Sequence, residues 1–270
     1  MELKDRVAIV TGAARNIGRG IALALAKEGV NVVVADVGGR SIKYAPRYKL
    51  SGMAELNRVA EEIKDLGVKS LPVKVDVTQA KEVQEMVRKT LEEFGTIDIL
   101  VNNAGIIRMA SVIDLTEEEW DAMFAVNVKG VYLCCKAVVP HMIEKKSGRI
   151  VNIGSAAGKQ GALLAQGYCA SKFANIGFTK ALAIELAPHN ITVNNVNPGA
   201  LMTAMEVEFR AYAPLMGVKP EEVLDTIAKQ QIPLGRIQKP EEIGDAVVFL
   251  CKADNITAQE VTVAGGMVQS

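Results

Sequence analysis

Residues 7–36 constrain the fold more than any other stretch. Residues 7–10 form a short apolar run that ends at Thr11-Gly12. A helical pattern follows through Ile17, Ile21, Leu25 and Ala26 and closes at Gly29. Residues 31–35 read as a second buried strand, and Asp36 ends it, 24 residues after Gly12. Strand, glycine turn, helix, strand and acid is the order of a dinucleotide-binding βαβ unit. The turn contains Gly12, Arg15, Asn16, Ile17 and Gly18. It needs backbone without side-chain bulk, so that a pyrophosphate can sit on the helix N-terminus. Asn16 stands where a glycine is usual, and Asn is the residue after Gly that best tolerates positive φ.

Asp36 also bears on the choice of nucleotide. A carboxylate at the end of the second strand accepts both ribose hydroxyls of NAD and repels a 2′-phosphate. Arg15, Arg40 and Lys43 argue the other way, because a guanidinium can hold that phosphate. The position of Asp36 favours NAD over NADP.

Residues 37–52 form an insertion. It holds Gly38-Gly39, Pro46, Tyr44, Tyr48 and several bases before helical spacing resumes near Met53. Connections of this type usually take 2–6 residues, and longer ones are often functional. A cofactor lid and a plain surface insertion both fit. Further strands are expected at about residues 71–75, 97–101, 149–153, 191–196 and 259–263. Helices are expected over about 79–94, 117–145 and from Tyr168 to 186, the last with Phe173, Ile176, Leu182 and Ile184 for burial. Another helix should start after Pro240. Residues 201–238 are polar and Met-rich, punctuated by Pro214, Pro220 and Pro233, and are the expected substrate-binding segment.

Strands alternate with helices, without a linker or a short-period repeat. The expected fold is α/β: one Rossmann-type, doubly wound parallel sheet of about seven strands over residues 1–270, helices on both faces. Ligands of such sheets bind beyond the strand C-terminal ends. The unusual clusters fall there: residues 12–18, Asp36, Asp76, residues 102–105, Ser155 and Pro198-Gly199.

Composition removes several other classes. The 31 basic and 31 acidic residues cancel, so no global field attracts nucleic acid or an anionic membrane. Aromatic residues are 4%, too few for base-stacking platforms. Cys134, Cys135, Cys169 and Cys251 lack C-x-x-C spacing, and His141 and His189 are the only histidines, so no metal site is expected. Reduced thiols, an N-terminus without a signal-peptide pattern and no apolar run near the roughly 20 residues that span a bilayer point to a cytoplasmic protein.

Tyr168 and Lys172 lie four residues apart, on one face of the expected helix. A cation one turn from a phenol favours the phenolate and eases proton exchange. The pair suits acid–base work on a hydroxyl or carbonyl oxygen. An isolated Y-x-x-x-K is more often a surface pair, so the rest of the chain has to decide.

It does so by resemblance. Residues 11–18, Asp76-Val77, Asn102-Asn103-Ala104-Gly105, Asn127, Ser155, Tyr168-x-x-x-Lys172 and Pro198-Gly199 occur together and in this order. The chain thereby resembles the short-chain dehydrogenase/reductase family nearly end to end. That resemblance implies hydride transfer between NAD(H) and a secondary alcohol or ketone. It implies Tyr168 as the acid–base, Lys172 lowering its pKa and binding the nicotinamide ribose, and Ser155 positioning the substrate oxygen. Asn127 would hold a water linking Lys172 to solvent. Asp76 and Val77 would border the adenine, Asn103, Ala104 and Gly105 would line the cofactor floor, and Leu201 and Thr203 would meet the nicotinamide amide.

Three features depart from the family pattern: Asn16, Ala264 in place of a frequent acid, and the long insertion. The insertion is similar to those of carveol-dehydrogenase-like members, some of which hold NAD tightly and pass electrons to another carrier. A 3-oxoacyl-thioester reductase using NADPH and a non-catalytic NAD sensor are the other readings, although a sensor needs none of the proton-transfer residues. Family members are commonly homotetramers, which is the expected assembly. The substrate is not legible.

Overall fold

The computed structural model describes residues 1–39, 48–201 and 206–269. Seven strands form one sheet: β1 Val7–Thr11, β2 Asn31–Asp36, β3 Ser70–Lys74, β4 Ile99–Asn102, β5 Gly148–Ile153, β6 Ile191–Pro198 and β7 Glu260–Val263. Their order is β3-β2-β1-β4-β5-β6-β7 and every pairing is parallel. The expected doubly wound Rossmann-type sheet is the observed one. Its chain order reverses between β1 and β4, which opens a crevice above their C-terminal ends.

The helices are α1 Asn16–Lys27, α2 Met53–Lys64, α3 Ala80–Phe94, α4 Glu117–Phe124, α5 Val131–Lys145, α6 Gln166–Leu186, α7 Glu206–Phe209, α8 Ala213–Met216, α9 Val223–Gln231 and α10 Pro240–Lys252. Successive strand residues face opposite sides of a sheet, and the core follows that alternation. Ala8 and Val10 pack with Ile21 and Leu25 of α1, Leu56 and Ile63 of α2 and Val247 of α10. Ile9, between them, packs with Met86 of α3, Val138 and Met142 of α5 and Leu186 of α6. Gly20 lets α1 lie against α10, since a methyl there would come within 2.7 Å of Pro240.

The expected helix over 117–145 is interrupted. A π-turn, Ala125–Gly130, joins α4 to α5 and carries Asn127. Glu117–Lys145 as a whole is long and apolar enough to cross a membrane by composition, with a mean hydropathy of 1.5 over its best window. Half of that window is buried inside the fold, against α3 and the sheet, as in a core helix.

Two expected core residues are not in the core. Phe173 and Ile184 of α6 are 49% and 76% exposed, whereas Ile176 and Leu182 are buried. Phe173 and Ile184 are three turns apart on one face, the face turned away from β5 and β6. The helix is apolar nearly all round, so its sequence does not say which side meets the sheet.

Candidate active site

A cavity of ≈ 550 Å³ opens above the C-terminal ends of β1, β4, β5 and β6. Its floor is the glycine turn. Gly12 takes φ +66°, and a methyl on it would meet Ala104 Cα and Asn103 Nδ2 at 2.9 Å. Asn103 Nδ2 donates to Thr11 O at 2.9 Å and to Gly12 O at 3.1 Å, while Thr11 Oγ1 accepts from the Asn103 and Ala104 amides. The ends of β1 and β4 are thus tied together under the crevice. Asn16 takes φ +48°, as its residue type allows, and the turn closes without a glycine there.

Gly18 packs directly on this turn. A methyl there would lie 2.1 Å from Gly12 O and 2.6 Å from Asn103 Nδ2. Gly18→Ala is expected to destabilise the protein by about 1–3 kcal/mol through overpacking. A lower urea midpoint at unchanged slope would show it, and a wild-type midpoint would mean that the turn yields freely.

Asp36 stands at the end of β2 beside that turn. Its Oδ2 accepts from the Ala14 amide at 3.2 Å and its Oδ1 from the Val37 amide at 2.7 Å. Burial raises its pKa, against these two amides and the Arg15 guanidinium. Each oxygen keeps a lone pair for a further donor. Arg15 Nη1 donates to Lys49 O at 2.7 Å, and its guanidinium lies 5.6 Å from the centroid of the Tyr48 ring. The described end of the insertion is therefore drawn back over the crevice. Arg40 and Lys43 lie outside the described residues.

Gly12, Arg15, Asn16, Ile17, Gly18, Asp36, Asp76 and Val77 all line the cavity. So do Asn103, Ala104, Gly105, Ser155, Tyr168, Lys172, Pro198, Gly199 and Leu201. Thr203 lies outside the described residues. Asp76 also stiffens its own corner, where Oδ1 accepts from Thr78 N and Oγ1. Asn127 sits behind the wall. Its amide exchanges hydrogen bonds with Ile106 N and O and donates to Ser171 Oγ at 3.0 Å.

The proton-handling groups meet on α6 and β5. Ser155 follows β5, with its amide donating to Asn197 Oδ1 and its hydroxyl accepting from Ala157 N. Lys172 Nζ lies 5.6 Å from the centroid of the Tyr168 ring and donates to Ile153 O at 2.9 Å. Lys172 is 4% exposed, and burial lowers its pKa to about 8. Burial pushes the Tyr168 phenol up to about 12; Ser155 works against that shift and Cys169 adds to it. A phenol, a buried ammonium and a hydroxyl around one crevice can pass a proton to or from an alcohol oxygen.

The lysine leaves a mark on stability. Its folded pKa lies below the ordinary 10.5, so between about pH 8 and 10.5 the unfolded chain binds more protons and stability rises with pH. Below about pH 8 the fold carries a buried ammonium at a cost of about 3 kcal/mol. Tyr168 acts oppositely above pH 10. Without ligand, the stability of the wild type relative to Lys172→Met should rise from pH 7 to 9.5; the buried thiols Cys134, Cys135 and Cys251, whose pKa burial raises, act oppositely but equally in both proteins. An equal slope in both would contradict the assigned shift.

Several residues that shape the cavity were not legible as site residues. Tyr48, Ile107, Met109, Phe209 and Tyr212 cluster beside Tyr168. Tyr212 donates to Leu163 O at 2.6 Å. Glu208 Oε2 accepts from Met109 N at 3.0 Å and from Arg108 Nη1 at 3.1 Å, which pins α7 to the segment after β4. The insertion with its tyrosines and the expected substrate-binding segment at 201–238 signalled the neighbourhood, but not these contacts.

A doubly wound sheet with a glycine-floored crevice, an acid-ended second strand and a Tyr–Lys pair defines a nucleotide-dependent oxidoreductase. The short chain dehydrogenase family model matches residues 6–213. The chain belongs to the short-chain dehydrogenase/reductase family. It is 37% identical over 270 residues to the 3-oxoacyl-acyl-carrier-protein reductase of Thermotoga maritima, covering 99% of this chain and all of the relative. It is 38% identical to the galactitol 2-dehydrogenase of Agrobacterium fabrum, covering 98% of each. Its structure is similar to that of carveol dehydrogenase from Mycobacterium avium in complex with NAD, with a TM-score of 0.92, 29% identity and 98% of each chain covered.

Proposed function

We propose that this protein transfers hydride between NAD(H) and a secondary alcohol or ketone. The observation that carries this reading is the Lys172 ammonium buried 5.6 Å from the Tyr168 ring, at the open end of a nucleotide crevice. The turn fits a dinucleotide because Gly12 and Gly18, where a Cβ would clash with Asn103, Ala104 and Gly12 itself, let it fold tightly on the end of β4 while the start of α1 lines the cavity. Asp36 would hold the adenosine ribose, and Gly12, Arg15, Asn16, Ile17 and Gly18 the pyrophosphate. Asp76 and Val77 would border the adenine, Asn103, Ala104 and Gly105 would support the nucleotide from below, and Pro198, Gly199, Leu201 and Thr203 would meet the nicotinamide end. When bound, NAD supplies the hydride acceptor or donor.

The chain supplies the rest. Ser155 donates to the substrate oxygen and fixes its distance from Tyr168. Tyr168 takes the hydroxyl proton during oxidation and returns it during reduction. Lys172, charged below about pH 8, stabilises the phenolate that this exchange requires. The Asn127 side chain is spent on Ile106 and Ser171, so its main chain, in the π-turn, is the group to hold a water behind Lys172.

A second reading has support from the identity to 3-oxoacyl-acyl-carrier-protein reductases: reduction of a 3-oxoacyl thioester with NADPH. Asp36 opposes it by repelling a 2′-phosphate, and Arg15 is already engaged with Lys49 and Tyr48. A panel of secondary alcohols, ketones and an acetoacetyl thioester, run with NAD(H) and NADP(H) in parallel, separates the two. Faster thioester reduction with NADPH would replace the first reading. The Arg15–Lys49 contact also favours nucleotide that stays bound through purification, which native mass spectrometry reads directly.

The outward apolar face of α6, with Phe173 and Ile184, supports a homotetramer with paired helices at its interface. Light scattering at micromolar concentration should return the tetramer mass; a monomer mass would contradict it. The four cysteines are free and buried, which supports placement in the cytoplasm.

A further inference from the structure

β5 and β6 run side by side into the active site, with Ile153 opposite Val196. Beyond that pair the Gly154 amide donates to Val196 O at 2.8 Å. Residues alternate in direction along a strand, so the next β6 N–H toward β5 would be that of Pro198, which has none. The backbone ladder stops just short of Ser155. A side chain takes over: Asn197 Oδ1 accepts from the Ser155 amide at 3.1 Å. Gly154 makes room for that bond, since a methyl on it would collide with Asn197 Oδ1 and Asn195 Oδ1.

The other end of the Asn197 side chain gains nothing. The residue is fully buried, and its Nδ2 has no hydrogen-bond partner among the described residues. An unpaired buried donor is unfavourable. For stability alone an apolar side chain would serve better at this position. What the amide provides is a fixed Ser155. The serine is held from a second side as well, because its Oγ accepts from Ala157 N at 3.1 Å, and its hydroxyl faces the Tyr168 phenol. Gly154 and Ser155 line the cavity, whereas Asn197 does not. Asn197 therefore reaches a bound substrate only through the backbone beside it, at Ser155 or at Pro198.

We propose that Asn197 is a positioning residue for the reaction: its side-chain carbonyl fixes the Ser155 backbone, and thereby the place of the Ser155 hydroxyl against the substrate oxygen. This rests on the reading of Ser155 as the residue that meets that oxygen. A misplacement of about 1 Å at a reacting centre can cost about 100-fold in rate, and loss of one anchor should cost part of that.

The test is a double-mutant cycle. With the first active alcohol of the panel, kcat is measured for the wild type, Asn197→Ala, Ser155→Ala, the double variant and Asn195→Ala. Asn197→Ala should lower kcat about ten-fold, while the NAD dissociation constant from calorimetry stays within about two-fold. In the Ser155→Ala background the same change should cost less than about two-fold, because the group it positions is gone. Asn195 flanks Gly154 too but donates to Asn175 Oδ1 instead, so Asn195→Ala should leave kcat within about two-fold of the wild type. Additive losses in the double variant would overturn the proposal, since they put the effect at Pro198 or in the fold at large. An equal loss in Asn195→Ala would overturn it too. Asn197→Ser, whose hydroxyl is one bond shorter, carries the same cycle if the alanine variant does not fold. Hydrogen exchange reads the contact without catalysis: the Ser155 amide should exchange faster in the Asn197 variant than in the wild type, and unchanged exchange would overturn the support. Faster exchange with no alcohol oxidised by the wild type sinks the dehydrogenase reading and keeps the Asn197 anchor.

Discussion

Tyr168→Phe is expected to lower NAD-dependent alcohol oxidation by about 10³-fold, within the range of positioned acid–base groups. The substitution removes one oxygen from a ring that is otherwise packed by Ile106, Met123 and the Tyr48 cluster. Fold and nucleotide affinity should therefore survive, and the loss should fall on kcat rather than on NAD binding. Stopped-flow kinetics with calorimetry on the same samples separates the two. The wild-type pH profile carries the same signature. The phenol starts at about 12 through burial and needs the Lys172 charge to come down. Oxidation should rise with pH while the ammonium persists, then stop rising above about pH 8 as the lysine deprotonates. Retained turnover in Tyr168→Phe would remove this residue from the chemistry.

The second large effect concerns the nucleotide. Asp36→Ala is expected to lower kcat/KM for NAD by about 100-fold, since a carboxylate bonding two ribose hydroxyls contributes about 1.5–3 kcal/mol per charged hydrogen bond. The same change removes the negative charge that repels a 2′-phosphate, so NADP should improve while NAD falls. Part of the loss is structural, because Ala14 N and Val37 N lose their acceptor. Asp36→Asn controls for this by keeping an acceptor oxygen without the charge. Its NAD:NADP preference should still drop, and a preference unchanged in both variants would mean that Asp36 does not read the ribose.

The parts of the molecule that could be read in advance were those set by local rules. The turn at Gly12 and Gly18, the positive φ of Asn16, the acid at the end of β2 and the Tyr168–Lys172 spacing all depend on neighbours within one βαβ unit or one helical turn. The parallel sheet of about seven strands followed from alternating strands and helices, whereas the order of its strands did not. The parts that could not be read depend on distant contacts. Glu208 meets Arg108 and Met109 from a hundred residues away. Tyr48 reaches Tyr168 only because Arg15 draws its segment back across the crevice. Phe173 and Ile184 point outward because the sheet meets the opposite side of an all-round apolar helix. The π-turn at Asn127 gave no periodic signal, since six residues of altered winding barely disturb a helical pattern.

In the proposed reaction a hydride passes between a secondary alcohol carbon and NAD in this crevice. The most direct test is a secondary alcohol deuterated at its carbinol carbon, taken from the first active member of the panel and incubated with the protein and NAD. The nucleotide is then released by denaturation and weighed by mass spectrometry, so that free and retained cofactor are both counted. The predicted result is NADH carrying one deuterium, formed by the wild type and lost in Tyr168→Phe. Unlabelled nucleotide from the wild type, with the alcohol consumed, would contradict it.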